Sequence, residues 1–165
     1  MKHWEEKRKE YQPEVVKVLF IGESAPNKDR FFYSNVVSEK DGLFRYTIKV
    51  IYKKVFKKNE CKINILTQFM NDGYFLIDFF IQPGQKINST LDNDIILFRE
   101  RLKELNFIDN PFLVFTSKEV YKKISYLFNN YDQNKILSLP FPGNEHQNRY
   151  CEMLELFLLK HKIIL

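Results

Sequence analysis

Apolar and polar positions alternate along the chain in blocks that read as strands separated by helices. Val15 to Ile21 (VVKVLFI) is an apolar, β-branched run that stops at Gly22, the pattern of a strand buried on both faces. Tyr74 to Ile81 (YFLIDFFI) is a second such run, interrupted by one carboxylate, Asp78, and closed by Pro83-Gly84. Phe112–Thr116 and Lys135–Leu139 predict two further strands. Between them the period changes to that of helices. Over residues 42–58, Phe44, Ile48, Ile51 and Val55 form one stripe, and Arg45, Lys49, Lys53 and Lys57 line another. Residues 63–71 predict a short helix before Gly73. Leu91, Ile95, Phe98, Leu102 and Leu105 mark a helix over 91–106. Ser117 is placed to cap a helix beginning SKEVYKK. A last helix runs from about Glu145 to Lys160. Residues 3–11 read as a short surface helix ended by Pro13.

Strands that alternate with helices in this way predict an α/β fold: three layers, α/β/α, around a four-stranded parallel sheet. A length of 165 residues without linker or repeat fits a single domain. In open sheets of this kind ligands bind beyond the carboxyl ends of the strands. That rule selects three segments: the long loop from Gly22 to Tyr33, the Asp78–Gly84 segment, and Pro140–Arg149.

Composition narrows the chemistry only a little. The net charge is +5, which permits an anionic partner without requiring one. Two cysteines, Cys61 and Cys151, lie far apart, and no C-x-x-C pair occurs. His3, His146 and His161 are scattered. No metal site and no cofactor is therefore expected, and a reducing, cytoplasmic setting is the simplest reading. No apolar run approaches the ~20 residues that span a bilayer, so no membrane association is expected. Neither G-x-G-x-x-G nor a P-loop is present.

The three rim segments carry a resemblance. The strand ending Gly22-Glu23-Ser24-Ala25-Pro26, followed by Phe31-Phe32-Tyr33, is similar to the first motif of the uracil-DNA glycosylase superfamily and its base-stacking aromatic. The strand ending Ile77-Asp78-Phe79 resembles the one that carries that superfamily's base-reading residue. Leu139-Pro140-Phe141-Pro142-Gly143-Asn144 resembles its second, HPS-type motif. The likeness spans about residues 15–160. Three departures stand beside it: one extra residue before Pro26, no histidine in the second motif, and Asp78 where uracil enzymes commonly carry Asn.

The resemblance implies a monomeric DNA glycosylase, active in repair or phage defence, that hydrolyses the N-glycosidic bond of a flipped-out base and leaves an abasic site. Uracil and modified cytosine are both open as the base. Such a reaction needs an anion near the sugar and donors near the departing base, and an aromatic plate beside a polar pocket. Glu23 is the candidate to orient water or stabilise the oxocarbenium, with Ser24 holding the same water; the competing role for Glu23 is an acceptor for loop amides. Phe31, Phe32 or Tyr33 is the candidate stacking residue, against the alternative of core packing in a chain with 16 Phe. Asp78 is the candidate base reader. An ionised carboxylate only accepts, which suits an exocyclic amino donor such as cytosine's. The alternative is a buried aspartate held by backbone amides. His146 is a further catalytic candidate. Asn144, Gln147, Asn148 and Arg149, at the opening of the last helix, are candidate DNA contacts, with Asn144 alternatively a helix cap. Residues 45–62 hold seven Lys/Arg and one Glu, a net +6, so Lys49 and Lys53 are secondary candidates for the phosphate backbone. The other functional class is a non-catalytic nucleic-acid-binding protein that senses a base in the same pocket.

Overall fold

A computed structural model describes residues 2–26, 30–87 and 92–165. Four strands, β1 (Val16–Gly22), β2 (Tyr74–Asp78), β3 (Phe107–Phe115) and β4 (Ile136–Ser138), form one sheet in the order β2-β1-β3-β4. Every pairing is parallel. Six helices accompany them: α1 (Lys2–Lys9), α2 (Gly42–Tyr52), α3 (Ile63–Asn71), α4 (Asp92–Lys103), α5 (Lys118–Ile124) and α6 (Gln147–Lys160). The expected three-layer α/β/α arrangement with a four-stranded parallel sheet is what the chain adopts.

The central strand explains its own composition. β1 has neighbours on both edges and helices over both faces, so Val18, Leu19, Phe20 and Ile21 are all essentially without exposure. Each such side chain contributes roughly 1.5–3 kcal/mol of burial free energy. The chain leaves β1 to make β2 on one side and later returns to make β3 on the other. The carboxyl end of β1 is thus a topological switch point, where the connections diverge and leave a crevice.

Several boundaries differ from the sequence-based expectation. α2 stops at Tyr52 instead of continuing to residue 58, and Lys53 takes a left-handed conformation (φ 56°, ψ 27°) with its N–H donating to Lys49 O. Continuation would stack like charges at i and i+4 (Lys49, Lys53 and Lys57; Lys54 and Lys58), which disfavours the helix. Val55, expected in the apolar stripe, is accordingly 74% exposed. β2 ends at Asp78, three residues early, yet Phe79 N–H and Phe80 N–H still donate to Gly22 O and Glu23 O at 2.8 Å. β3 begins at Phe107 because its pairing with β1 slips between Val16 and Val18. Asn110 (φ 52°) and Pro111, which have the composition of a turn, lie inside that irregularity. Leu91, expected to open α4, lies outside the described residues.

The N-terminal helix is not a simple surface element. Trp4, Arg8 and Tyr11 form an i, i+4, i+7 stripe facing the body of the protein. Trp4 meets Phe31 edge-on at 4.7 Å, Tyr11 stacks on Tyr33 at 5.7 Å, and Arg8 is 4% exposed. Among the described residues no helix is long and apolar enough to cross a membrane.

Candidate functional site

The crevice at the switch point is a cavity of about 420 Å³. Gly22 to Pro26, Arg30, Phe31, Phe32, the Lys40–Leu43 segment, Asp78, Thr116 and Ser117 line it, together with the exposed Lys86 and Phe141 at its mouth. The first selected segment supplies the largest share of this lining and the second supplies Asp78 and Gly84. The third contributes only Phe141.

Glu23 projects from the first turn after β1, with its side chain 18% exposed. Its Oε1 accepts a hydrogen bond from Ile87 N–H at 3.0 Å and lies 3.8 Å from Lys86 Nζ. One carboxylate oxygen is thus fixed by an amide, which orients the group. Ser24, expected to hold water with Glu23, donates its hydroxyl to Gln85 O at 2.9 Å. It ties the β1 loop to the loop after β2.

Asp78 is 6% exposed and lines the cavity. Its carboxyl folds over the bare face of Gly22: a Cβ there would fall 2.4 Å from Asp78 Oδ1. Among the described residues no backbone amide donates to this carboxyl, so the amide-held alternative is not what the structure contains. Its compensation is charge instead. Arg8 and Arg101 lie close enough to favour the anion, but burial outweighs them and, with Glu23 adding repulsion, raises the Asp78 pKa. Arg101 Nη2 donates to the carbonyls of Asp78 (2.7 Å) and Phe79 (2.6 Å), its Nη1 lies 3.5 Å from Glu5 Oε1, and Glu5 also pairs with Arg8. The amino-terminal helix is therefore wired to the cavity through two arginines.

The Phe-Phe-Tyr run divides. Phe31 and Phe32 line the cavity but are 2% and 3% exposed, so neither presents an open face. Phe32 belongs to an aromatic cluster with Phe44 and Phe69. Tyr33 does not reach the cavity. Its hydroxyl donates to Leu76 O at 3.1 Å and accepts from Leu76 N–H at 2.7 Å, closing the outer edge of β2, the edge strand. Core and edge roles account for Tyr33. The open aromatic ring is Phe141, 54% exposed at the cavity mouth and folded over Gly143, where a Cβ would lie 3.2 Å from the ring.

The cluster at the opening of α6 turns away from the cavity. Asn144 (φ 53°) reverses the chain. Asn144, His146, Asn148 and Arg149 are exposed, and Gln147 is half-buried. None of these five lines the cavity, so His146 is not placed to act on a group bound there. His146, not Asn144, is the residue at the N-cap of α6, and its side chain makes no capping bond. The basic stripe is likewise dispersed. Lys62 is fully buried, Arg45 donates to Ser38 O, Lys53 pairs with Glu155 on α6, and Lys58 lies 3.6 Å from Glu39. Lys53 sits with Lys17 and Tyr74 at the opposite, amino rim of the sheet. Lys49 is exposed on α2, one turn before it.

Asp41 was invisible to sequence reasoning. It lines the cavity at 2% exposure and forms a buried ion pair with Lys62. Burial pushes its pKa up to about 6, against the opposing pull of Lys62. Burial also lowers the Lys62 pKa. Lys62 Nζ donates to Phe31 O (3.1 Å), Phe32 O (3.2 Å) and Ser34 Oγ (3.0 Å), so this lysine clamps the aromatic loop from behind. The 21-residue separation of the pair follows no helical or strand period, which is why no local pattern announces it. Among the described residues no three His, Cys, Asp or Glu side chains gather closely enough to hold a metal ion.

No family model, no curated protein and no solved structure matches this chain.

Proposed function

We propose that the protein is a DNA glycosylase that hydrolyses the N-glycosidic bond of a base held outside the helix, leaving an abasic site. The observation that carries this reading is convergence. An amide-oriented carboxylate (Glu23), a second buried carboxyl (Asp78) and an open aromatic ring (Phe141) share one cavity of about 420 Å³ at the switch point.

In this reading the base stacks on Phe141, with the edges of Phe31 and Phe32 behind it. Glu23 faces the sugar. Its oxygen away from Ile87 takes a proton from water as the water oxygen bonds to C1′, while the C1′–N bond breaks and its electron pair leaves with the base. Arg30, Lys40 and Lys86 line the cavity and offset the negative charge that develops on the departing base. Asp78 reads the base edge. Because burial raises its pKa, the neutral acid is favoured more than in water, and the neutral form offers a donor and an acceptor together, the complement of a uracil-type edge. The anion suits an amino-bearing edge of the cytosine type.

The test is release of free base, followed by mass spectrometry, from unmodified, deaminated and phage-modified DNA. Glu23→Gln keeps the size of the side chain and its acceptor for Ile87 N–H, and removes the base. Loss of about 10²-fold or more of the rate is expected. Equal rates for variant and parent remove Glu23 from the chemistry. DNA binding without any abasic product supports the non-catalytic, base-sensing alternative, which the outward placement of His146 favours.

A further inference from the structure

A second depression, about 680 Å³ and open to solvent, runs between α1 and the 34–40 segment. It shares Arg30, Phe31 and Lys40 with the cavity, so the two lie side by side. Its floor is aromatic. Trp4, half-buried, braces edge-on against Phe31 at 4.7 Å, and His3 lies 5.5 Å from the indole. Its walls are predominantly cationic, with Lys7, Arg30, Lys40 and Lys58 against Glu10 and Glu39. Both glutamates already pair with groove lysines, Lys7–Glu10 at 2.6 Å and Lys58–Glu39 at 3.6 Å. Surface pairs of this kind are worth little and exchange readily for a phosphate.

We propose that this groove holds a single-stranded DNA segment adjoining the base in the cavity, with Trp4 stacking on a neighbouring unpaired base and the lysines following the phosphates. The proposal rests on the functional reading above and adds the form of the substrate. An indole at the floor of a groove can be used only by a base that is not already stacked within a duplex, whereas cations on the walls track a backbone of any sequence. Val36, 49% exposed on the same wall, adds apolar surface that a sugar or base face can cover. The shared Arg30, Phe31 and Lys40 set a strand in the groove next to the cavity, within reach of a base turned out of it.

The chain has one tryptophan, so Trp4 reports on its own stacking. The experiment titrates the Glu23→Gln protein with a short oligothymidylate and with a duplex of matched length, following tryptophan fluorescence and, in parallel, anisotropy of a labelled strand. Quenching by the single strand is expected, with the duplex weaker by about tenfold or more. Lys40→Glu with Lys58→Glu, both at exposed positions, is expected to lower affinity by about tenfold and to reduce the salt slope by roughly 1.4, about 0.7 for each phosphate no longer neutralised. Three results overturn the proposal: binding by anisotropy with no change in fluorescence, equal quenching by the duplex, or an unchanged salt slope in the double variant. Base release enters none of these readouts. Quenching without any glycosylase activity refutes the catalytic reading and leaves the groove. Base release without quenching refutes the groove and leaves the catalytic reading.

Discussion

Gly22 is the position where the cavity's geometry can be tested without touching a functional side chain. It lies in β1 opposite Asp78, and its backbone is that of an ordinary strand, outside the positive-φ region. Alanine therefore costs nothing in backbone conformation, and any penalty is steric. The added Cβ would sit 2.4 Å from Asp78 Oδ1, whereas ordinary contact begins at 3.4 Å, so the carboxyl must retreat by 1.0 Å. It has little freedom to do so, being 6% exposed and held in the field of Arg8 and Arg101. Overpacking of this kind costs about 1–3 kcal/mol. At roughly 2–4 °C per kcal/mol for a chain of this size, Gly22→Ala should lower Tm by several degrees.

A double-mutant cycle separates the collision from other causes. Asp78→Ala alone takes the carboxyl out of the field of Arg8 and Arg101, both of which keep Glu5, and empties the space beside Gly22, at a cost of about 0.5–3 kcal/mol. Gly22→Ala placed on that background has nothing to strike, so the pair should cost less than the two single changes together by about 1–3 kcal/mol. Asp78→Asn keeps the volume and removes only the charge. On that background the collision persists and the two changes should add. Urea unfolding of the parent, the three single variants and the two double variants measures both couplings. A Gly22→Ala protein within about 0.5 kcal/mol of the parent, or equal coupling to Asn and Ala at position 78, refutes the placement of Asp78 over Gly22.

Two further perturbations address the loop that walls the cavity. Tyr33→Phe leaves the N–H and C=O of Leu76 on the edge strand without their shared partner, and each buried unpaired group costs about 1–3 kcal/mol. A loss of about 2 kcal/mol or more is expected by urea unfolding, and a loss under about 0.5 kcal/mol removes the edge-closing role. Asp41 makes stability depend on pH. Its folded pKa of about 6 exceeds the ordinary 3.8, so between these values the folded protein holds a proton that the unfolded chain has released. Its stabilising contribution is complete below the unfolded value and is lost as pH rises through the folded one. From about pH 4 to about pH 7 the parent should lose on the order of 3 kcal/mol relative to Asp41→Asn, and parallel profiles for the two proteins refute the assignment.

The strands were legible because a parallel sheet covered on both faces demands unbroken apolar runs, and Val18–Ile21 and Tyr74–Ile77 are such runs. The rim of the sheet was legible at Gly22, where the first run stops, and less so at Asp78, since the apolar run continues through Phe79-Phe80-Ile81 beyond the end of β2. What the rim does was only partly legible. Phe31, Phe32 and Tyr33 are chemically alike in sequence. The fold alone decides that two reach a cavity and the third closes a strand edge. The polar run Asn144–Arg149 reads as a rim cluster, but the connector turns at Asn144 and leaves Phe141 as its single contribution. One missed feature did leave a signal, since Trp4, Arg8 and Tyr11 have the spacing of a packed helix face. Judging residues 3–11 by their charge content hid it.

The cavity is flanked by two buried groups of charges: the Asp41–Lys62 ion pair on the aromatic loop and, at the sheet edge, Asp78 in the field of Arg8 and Arg101 without a direct ion pair to either. Buried pairs of this kind are often no more stable than apolar side chains of equal volume, and stripping one partner costs more than the pair itself contributes. A chain selected for stability alone would fill these places with leucine or phenylalanine, which it uses freely elsewhere. Both instead bring a carboxyl to the same cavity, each with its pKa raised by burial, and both anchor elements that line it: Lys62 the Phe31–Ser34 turn, Arg101 the backbone leaving β2. Perturbed carboxyls concentrate where a site needs a donor and an acceptor at fixed positions. The cost of burying these charges is therefore explained by the cavity, and the cavity, more than any single motif, is the reason to look for chemistry at the carboxyl end of β1.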